Sequence, residues 1–505
     1  MRLRERLWNP YAVVFFSSAC IMIIELVASR IIAPNLGVSL YTWTTVIGVI
    51  LAGISLGNYI GGRLADRFAS PPFLGFILAL ASFGSLSILW LNRQISELTM
   101  PENMPMLLGV ILYIAGIFFL PSMILGCVSP IVVKLSLTDL KRTGTTVGKI
   151  YAWSSVGSIA GTFATGFFLI SWFGTRTILL GVSALLILMA LWFLTDTRPR
   201  RALVTAGFTL LIFLLIVVIL TRRHYLDSAC LRETNYFCIN VRDKQVGDSN
   251  VRVLVLDRLV HSYSDIDNPA NLVYGYEQAY AEVIRPLTER KPNLNVFFIG
   301  GGGYTFPRYL EATLPGSHSV VAEIDPEVTE VAYERMGLRP STRIETHAMD
   351  ARLFMMREGR PASFDLIFGD AFNDYSVPFH LTTLEFNQLV KRLLREDGLY
   401  VVNIIDSGKR GHFLRAYVRT LQQVFPYVEV IPQDPDWRDS IRMTFVVVAA
   451  NHPIDLSGLT PQLRRPLSPE ELQELLAQEP PIILRDDYVP VDNLLAGVFA
   501  DSGWK

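Results

Sequence analysis

Charged residues are scarce in this sequence. They make up 18% of the 505 residues, whereas a soluble protein of this size carries about a quarter. Only four residues are cysteines, which excludes a small disulfide-stabilised scaffold. The hydrophobic fraction of 51% excludes an intrinsically disordered chain. The cysteines and histidines also lack the spacing of a zinc site, so we expect no metal.

The net charge of −1 conceals an uneven distribution of charge along the chain. Residues 1–220 contain 15 basic and 7 acidic side chains, whereas residues 221–505 contain 30 basic and 39 acidic ones. The first part is 10% charged and the second is 24% charged, which indicates a membrane region followed by a soluble domain. The acidic second part argues against nucleic acid as a partner, because a phosphate backbone binds lysine and arginine.

The first 220 residues contain seven apolar runs, each close to the length of about 20 residues that a bilayer span requires. We therefore predict a multi-pass α-helical membrane domain over residues 1–220, located in the cell membrane with the lipid bilayer as a partner. The first run is no signal peptide, because it lacks a small-residue cleavage site and six more runs follow. The predicted spans are Tyr11–Ile32, Tyr41–Gly62, Phe73–Asn92, Met106–Val132, Ile150–Phe173, Thr177–Leu194 and Ala202–Leu220.

Basic residues mark alternate loops between these runs. Twelve lie at the N-terminus and in every second loop, against Arg93 and Arg176 in the intervening loops. The positive-inside rule then predicts a cytoplasmic N-terminus, and seven spans place the second domain outside. Cys230 and Cys238 lie just after the last span, where an oxidising environment would allow a disulfide. Two arginines directly after that span favour the opposite orientation. The side of the membrane that the second domain faces therefore stays open.

Small and charged residues within the runs have several interpretations. Glu25 and Arg30 lie in or at the end of the first run, where charges are costly. The alternatives for these two charges are a functional site, a structural ion pair, and snorkelling of Arg30 to the interface. Glycines at spacings of four share one helix face, where two backbones approach closely, and we expect helix packing rather than transport. This set includes Gly53, Gly57, Gly61, Gly157 and Gly161.

From Val251 onward, short β-branched strands alternate with helical stretches. This alternation predicts a Rossmann-like α/β domain with a doubly wound, mostly parallel sheet. We assign residues 221–250 to a linker with an N-terminal β segment and residues 251–505 to this domain. The predicted strands are Val251–Asp257, Asn295–Gly303 with its glycine turn, Ser319–Asp325, Thr342–His347, Phe364–Asp370, Gly398–Ile405 and Arg442–Ala450. The predicted helices are Tyr274–Leu287 (ending near Pro286), Phe306–Leu314, Pro326–Met336, Ala351–Arg357, Thr383–Arg395 and Phe413–Val424.

Acidic residues recur at successive strand ends of this domain. Gly300–Gly303 follow one strand, and a glycine turn lets the backbone approach a ligand closely. Glu323 ends the next strand, where a carboxylate can accept both hydroxyls of a ribose. Asp350 follows the third strand, in a position suited to an adenine amine, and Asp370 ends the fourth. Because ligands bind outside the carboxyl ends of such strands, this recurrence predicts a nucleoside site.

These motifs, in this order, resemble the spermidine synthase family of aminopropyltransferases, which has the S-adenosylmethionine methyltransferase fold. The resemblance is strongest over residues 251–450. The first part of the chain and the segment near its end look like the membrane-integrated branch of that family. The motifs that carry the resemblance are Leu254–Asp257, the Tyr274, Tyr276 and Glu277 group, Ile299–Gly303, Glu323–Val328, Asp350, Asp365–Phe372, Arg30–Gly37, Gly61–Arg67 and Asp486–Asn493.

The resemblance implies transfer of an aminopropyl group from decarboxylated S-adenosylmethionine to a diamine such as putrescine. The products are spermidine and 5′-methylthioadenosine, and the reaction needs neither a permanent cofactor nor a metal. The family pattern makes Asp370 the general base, Glu323 the ribose ligand and Asp350 the adenine ligand. It also allows a homodimer. The other implied site residues are His261, Gly300, Gly301, Gly302 and Ala351 for the donor, and Tyr274, Tyr276, Glu277, Asn373 and Asp374 for the acceptor amine.

Three departures from the family pattern leave other functions open. Gly303 stands where the family has an aspartate that holds the aminopropyl amine. His261 replaces a glutamine, and Arg258 replaces a glycine just before it. Asp370 and Asp374 are four residues apart, with Asn373 at the third position, where the family's acid pair is three residues apart. His261 is either a substitute hydrogen-bonding group or a surface residue without a role. The alternatives are a methyltransferase acting on a membrane-associated acceptor from intact S-adenosylmethionine, and a non-catalytic domain that binds a nucleoside or a polyamine.

Overall fold

The computed structural model describes residues 9–98, 104–137, 139–194, 199–371, 377–477 and 481–501. The chain divides into two compact units. The first consists of Met1–Leu36 and Leu40–Cys238, and the second consists of Gly37–Ser39 and Ile239–Lys505.

The first unit is a bundle of long apolar helices. Within the described residues, seven helical stretches are long and apolar enough to cross a membrane, as the seven apolar runs predict. A short π-helical stretch, Thr165–Leu169, interrupts the fifth. The helices are α1 Pro10–Leu36, α2 Leu40–Phe68, α3 Pro71–Ser96, α4 Met106–Gly126, α5 Val128–Ser136, α6 Thr143–Ala164, α7 Ile170–Trp172, α8 Thr175–Leu194 and α9 Pro199–Arg222.

Glycines hold pairs of these helices at backbone contact distance. A Cβ atom added to Gly57 on α2 would overlap the carbonyl oxygen of Met123 on α4, and one added to Gly157 on α6 would overlap that of Phe15 on α1. By contrast, a Cβ atom added to Gly148, also on α6, would meet no atom within 4 Å. The close contacts agree with the predicted packing role of the small-residue face.

Cys230 and Cys238 form a disulfide with a Cα–Cα distance of 5.3 Å, as their position after the last helix predicts. The remaining cysteines, Cys20 and Cys127, are buried and free. Both disulfide cysteines belong to the first unit, so the bond closes the segment that follows α9.

The second unit contains a seven-stranded sheet in the order β10-β11-β9-β8-β5-β6-β7. The strands from β9 to β7 pair in parallel, whereas β10 and β11 add an antiparallel edge. This is the predicted doubly wound architecture. The strands of the sheet are β5 Asn295–Ile299, β6 His318–Glu323, β7 Glu345–Ala348, β8 Phe364–Gly369, β9 Leu394–Asp406, β10 Tyr427–Pro432 and β11 Met443–Ala450. The helices of this unit are α10 Gly275–Arg290, α11 Thr305–Thr313, α12 Pro326–Arg335, α13 Ala351–Arg357, α14 Leu384–Leu393, α15 Phe413–Gln422, α16 Pro469–Ala477, α17 Val491–Leu494 and α18 Ala496–Asp501.

Three antiparallel strands precede this sheet: β2 Cys238–Val246, β3 Ser249–Leu256 and β4 Leu259–Asp265, while β1 is the short Arg232–Glu233. Strand β3 was predicted, and β1 and β2 lie in the N-terminal β segment expected within residues 221–250, whereas β4 was not predicted. Both hairpin turns have two residues, and each contains one with a left-handed backbone, Gly247 or Asp257. The pair Gly247–Asp248 is a hairpin signal in the sequence, whereas Asp257–Arg258 is not.

Three predicted boundaries in the second unit differ by three or more residues from the structure. Helix α10 does not end near Pro286 but continues to Arg290, so packing of the buried face that holds Pro286 outweighs the roughly 3 kcal/mol that a proline costs inside a helix. Strand β7 begins at Glu345 rather than Thr342, and strand β9 begins at Leu394 rather than Gly398, so α14 ends at Leu393, two residues before its predicted end. Leu394 is buried and pairs with Phe364 of β8, which favours the extended conformation over another helical turn.

The glycine contacts yield a stability prediction. Gly157→Ala should destabilise the helical unit by about 1–3 kcal/mol, because the methyl group must displace the α1 backbone. Gly148→Ala on the same helix should leave stability unchanged or raise it by up to about 1 kcal/mol, because alanine favours the helix over glycine. Thermal unfolding of both variants in detergent measures the difference, and equal midpoints would contradict the packing role.

Candidate active site

Four strand ends of the parallel sheet bring the predicted site residues to one edge. The glycine turn follows β5, Glu323 is the last residue of β6, Asp350 lies two residues after β7, and Asp370 directly follows β8. The backbone N–H of Met349 donates to the Glu323 carbonyl at 3.0 Å, which joins the β6 and β7 ends. The sheet therefore assembles the predicted nucleoside site at its carboxyl edge.

The turn after β5 requires glycine at its first position. Gly300 has a φ of 93°, in the left-handed region, and a Cβ atom there would lie 2.7 Å from the Asp370 carbonyl oxygen. At Gly301, a Cβ atom would lie 2.7 Å from the Tyr304 ring. Any side chain at Gly300 would therefore push the turn away from the end of β8.

The Glu323 carboxylate faces the glycine turn. One oxygen accepts the backbone N–H of Gly301 at 2.7 Å and that of Gly302 at 3.4 Å, and the other accepts the N–H of Asp325 at 3.0 Å. Burial raises the pKa of Glu323, although these hydrogen bonds to its ionised form oppose the rise. The oxygen that binds Asp325 keeps a lone pair, so the carboxylate can accept a further hydrogen bond from a hydroxyl group.

Asp350 caps helix α13, which begins at the buried Ala351. One carboxylate oxygen accepts the N–H of Leu353 at 2.9 Å, and the other lies 2.7 Å from Nε2 of His380. Burial favours the neutral acid, but the hydrogen bonds from His380 and Leu353 outweigh it and lower the pKa of Asp350. Asp350 is thus an anion at neutral pH, and His380 was not predicted as its partner.

The segment Asp486–Asn493 reaches the same side of the unit. Asp486 binds both terminal nitrogens of Arg352, at 2.8 and 2.6 Å, and accepts the hydroxyl of Thr383 at 2.7 Å. Since Arg352 is the second residue of α13, this bidentate pair fixes the helix that Asp350 caps.

The Asp370 side chain is partly buried and held by two donors. Its Oδ2 accepts the hydroxyl of Tyr276 at 2.9 Å, and its Oδ1 accepts Nδ2 of Asn403 at 2.9 Å. Burial raises the pKa of Asp370, and the hydrogen bonds from Asn403 and Tyr276 limit the rise. The result is a fixed carboxylate with increased basicity, as a general base requires.

Glu277 lies next to this carboxylate on α10. It is only 3% exposed, and its Oε2 has no hydrogen-bond partner among the described residues. Burial, followed by the negative charge of Asp370, raises its pKa well above the usual range. Within the described parts of the chain, neither acid is paired with a lysine or arginine. Such a pair stabilises either a shared proton or a bound cation.

Aromatic side chains surround the two acids. The ring of Tyr274 packs edge-on against those of Tyr263 and Tyr276, with both centroid distances 4.8 Å, and Tyr280 follows Tyr276 at 5.3 Å. The Tyr280 hydroxyl is buried without a hydrogen-bond partner among the described residues. The predicted amine-pocket residues Tyr274, Tyr276 and Glu277 are therefore brought together beside Asp370.

His261 lies on β4 near this cluster. Burial lowers its pKa to about 4, so its imidazole is neutral at pH 7 and can both donate and accept a hydrogen bond. This protonation state suits the predicted hydrogen-bonding role, which stays a prediction. The acceptor residues Asn373 and Asp374 lie outside the described residues.

Ser262 occupies the space beside Gly303. Its hydroxyl accepts the Gly303 N–H at 2.8 Å, and a Cβ atom on Gly303 would lie 2.7 Å from the Ser262 Cβ atom. An aspartate at this position would therefore require Ser262 to move.

Sequence reasoning missed three residues of this edge: Ser262, His380 and Asn403. Asn403 had a signal, because it is the single polar residue in the apolar run Val401–Ile405 of β9. The other two stand out only once the chain is folded. Among the described residues, no group of three or more His, Cys, Asp or Glu side chains is placed to hold a metal ion.

Comparison with known proteins identifies relatives of two kinds. No family model matches the sequence. A polyamine aminopropyltransferase of Vibrio vulnificus is 35% identical over 149 residues, which are 29% of this chain and 49% of that protein. The chain thus spans about half the length of this relative. A eukaryotic elongation factor 1A lysine and N-terminal methyltransferase of Bos taurus is 30% identical over 148 residues, or 27% of this chain and 21% of that protein.

Among solved structures, a probable spermidine synthase from Corynebacterium glutamicum is 21% identical, with a TM-score of 0.44. The alignment covers 50% of this chain and 94% of that one. The sequence matches support homology between part of this chain and the spermidine synthase family of aminopropyltransferases.

Proposed function

We propose that the second unit transfers an aminopropyl group from decarboxylated S-adenosylmethionine to a diamine such as putrescine. The observation that carries this proposal is the Asp370 carboxylate, which is held by Tyr276 and Asn403 beside a second buried acid, Glu277. Homology to polyamine aminopropyltransferases supports the same reaction class.

The donor nucleoside binds at the ends of β5, β6 and β7 in this proposal. Glu323 accepts hydrogen bonds from the ribose hydroxyls, and Asp350 accepts one from the adenine amine, while Gly300–Gly302 lets the backbone approach the donor. Asp350 supports this role because its lowered pKa keeps it an acceptor at neutral pH. The sulfonium carbon then lies toward Asp370, which the glycine turn contacts directly.

The acceptor amine binds between Asp370, Glu277 and the tyrosine rings. A diamine carries ammonium groups joined by methylene carbons, so it combines cationic ends with an apolar middle. Two buried carboxyls without a basic partner favour the cationic ends. The faces of Tyr274 and Tyr276 suit the methylene chain and also attract an ammonium group.

The transfer step needs one deprotonated amine. Asp370 takes a proton from the attacking ammonium, and the nitrogen lone pair forms a bond to the carbon next to the sulfonium. The carbon–sulfur bond breaks, and its electron pair remains on sulfur in 5′-methylthioadenosine. Because burial raises the pKa of Asp370, this carboxylate takes the proton more readily than an exposed aspartate does.

Methyl transfer from intact S-adenosylmethionine is a second candidate, favoured by one specific observation. Gly303 supplies no carboxylate for the aminopropyl amine, and Ser262 fills the adjacent space. The similarity to a lysine and N-terminal methyltransferase also favours methyl transfer. A non-catalytic binding domain is the third candidate, and the arrangement around Asp370 argues against it.

One assay separates the three candidates. The full chain is incubated with each donor, with and without putrescine. Formation of both 5′-methylthioadenosine and spermidine supports aminopropyl transfer, and S-adenosylhomocysteine supports methyl transfer. No product from decarboxylated S-adenosylmethionine and putrescine, despite measured nucleoside binding, would contradict aminopropyl transfer to this diamine. We further propose that the helical unit anchors the protein in the cell membrane, as its seven apolar helices allow.

Asp370→Asn should lower turnover by at least about two orders of magnitude, because asparagine cannot accept the amine proton. Single-turnover assays measure this rate. Asp397→Asn, at an exposed position in β9, provides a matched control and should keep the wild-type rate. Near-normal turnover of Asp370→Asn would eliminate this residue as the base.

Glu323→Ala should weaken binding of 5′-methylthioadenosine by about 10- to 100-fold, because hydrogen bonds to a charged acceptor are lost. Isothermal titration calorimetry measures this affinity. Glu330→Ala replaces an exposed glutamate on the following helix and should bind normally. An unchanged affinity in the Glu323 variant would exclude the ribose contact.

Tyr276→Phe should move the acid limb of the pH–rate profile to higher pH. The Tyr276 hydroxyl stabilises the ionised Asp370, so its loss raises the pKa of that carboxyl further. A base acts only above its pKa, and activity is therefore lost at a higher pH than in the wild type. In Tyr274→Phe, which removes a hydroxyl bound to the Val260 carbonyl, the limb should stay in place. Coincident limbs in Tyr276→Phe and wild type would rule out this coupling.

A further inference from the structure

A polar cavity of about 340 Å³ lies within the helical unit. Residues of α1, α3 and α8 and of the segment after α9 line it. The disulfide between Cys230 and Cys238 closes this segment, and Arg30 ties it to α1 by donating to the carbonyls of Thr234 and Asn235. The volume falls in the range of small-molecule sites, about 300–1,000 Å³.

Arginines from three helices line the cavity. Arg30 is engaged with backbone carbonyls. Arg93 lies over the Tyr225 ring, 5.1 Å from its centroid, and contacts Glu97 only through Nε at 3.5 Å. The Arg176 guanidinium makes no hydrogen bond to any described residue, although nearby carboxylates attract it. The hydrogen-bonding capacity of Arg93 and Arg176 is therefore largely available to a ligand.

The carboxylates of the cavity already have other partners. Glu233 accepts the backbone N–H of Thr175 at 2.7 Å and the hydroxyl of Ser228 at 2.9 Å. Asp227 lies 2.6 Å from Nδ1 of His224. The cavity is lined by three guanidinium groups and by two carboxylates that already have partners. The resulting excess of positive charge favours an anion over an amine as the ligand.

We propose that this cavity binds a phosphate group through Arg93 and Arg176. A guanidinium presents parallel N–H donors that match two phosphate oxygens, and arginines from separate helices can bind the group from two sides. The group belongs either to a lipid headgroup or to a free phosphate compound, since both present the same phosphate oxygens. This site is separate from the proposed transferase function, since every lining residue belongs to the helical unit.

The test uses the full chain in detergent and two probes, inorganic phosphate and short-chain phosphatidylglycerol. A ligand that binds the folded state raises the unfolding midpoint with concentration, and chloride at equal ionic strength gives the baseline. Arg176→Gln should bind the effective probe at least about tenfold more weakly, since a charge-assisted contact is lost. Arg176→Lys should recover part of that loss. Arg67→Gln, an exposed arginine at the end of α2, is the matched control.

A response to phosphate would support a free ligand, and a response only to the lipid would support a headgroup. An intact disulfide and an unchanged midpoint without probe show that Arg176→Gln is folded; if it is not, Arg93→Gln replaces it with the same expectation. The proposal is overturned if neither probe exceeds the chloride baseline, or if Arg67→Gln weakens binding as much as the cavity variants.

Discussion

The candidate active site depends on one close approach between backbones. Strands β5 and β8 are parallel neighbours, and the Asp370 N–H donates to the Ile299 carbonyl at 3.0 Å just where both strands end. The Gly300 backbone then turns within contact of the Asp370 carbonyl, which only a residue without a side chain permits. This approach sets the distance between the glycine turn and Asp370, so the proposed donor and base positions are fixed by the ends of β5 and β8.

The two sides of the site differ in whether their surroundings stabilise or destabilise an ionised carboxylate. On the proposed nucleoside side, hydrogen bonds keep Asp350 ionised despite its burial. On the proposed amine side, burial of Asp370 and Glu277 favours the protonated acids, and the negative charge of Asp370 adds to this effect for Glu277. Two carboxylates that are destabilised in one place would be stabilised there by a bound cation or by a proton.

Much of this arrangement was predictable, because it follows from periodicity and strand order. The alternation of strands and helices indicates the sheet, and the acids at its strand ends indicate the edge where Glu323, Asp350 and Asp370 meet. Two partners of these acids, His380 and Asn403, were not predicted. They reach Asp350 and Asp370 through tertiary contacts 30 and 33 residues away in sequence, and no local pattern indicates which acid each contacts. Strand β4 was not predicted because the turn Asp257–Arg258 before it lacks glycine, and Pro286 predicts a helix end that packing of the buried face of α10 overrides.

The pairing of Asp486 with Arg352 has a consequence for biosynthesis. The two residues are 134 positions apart. The helical unit emerges from the ribosome first, whereas the helix capped by Asp350 gains the support of Asp486 only after another 134 residues have been synthesised. This part of the candidate site is therefore completed later than the helical unit.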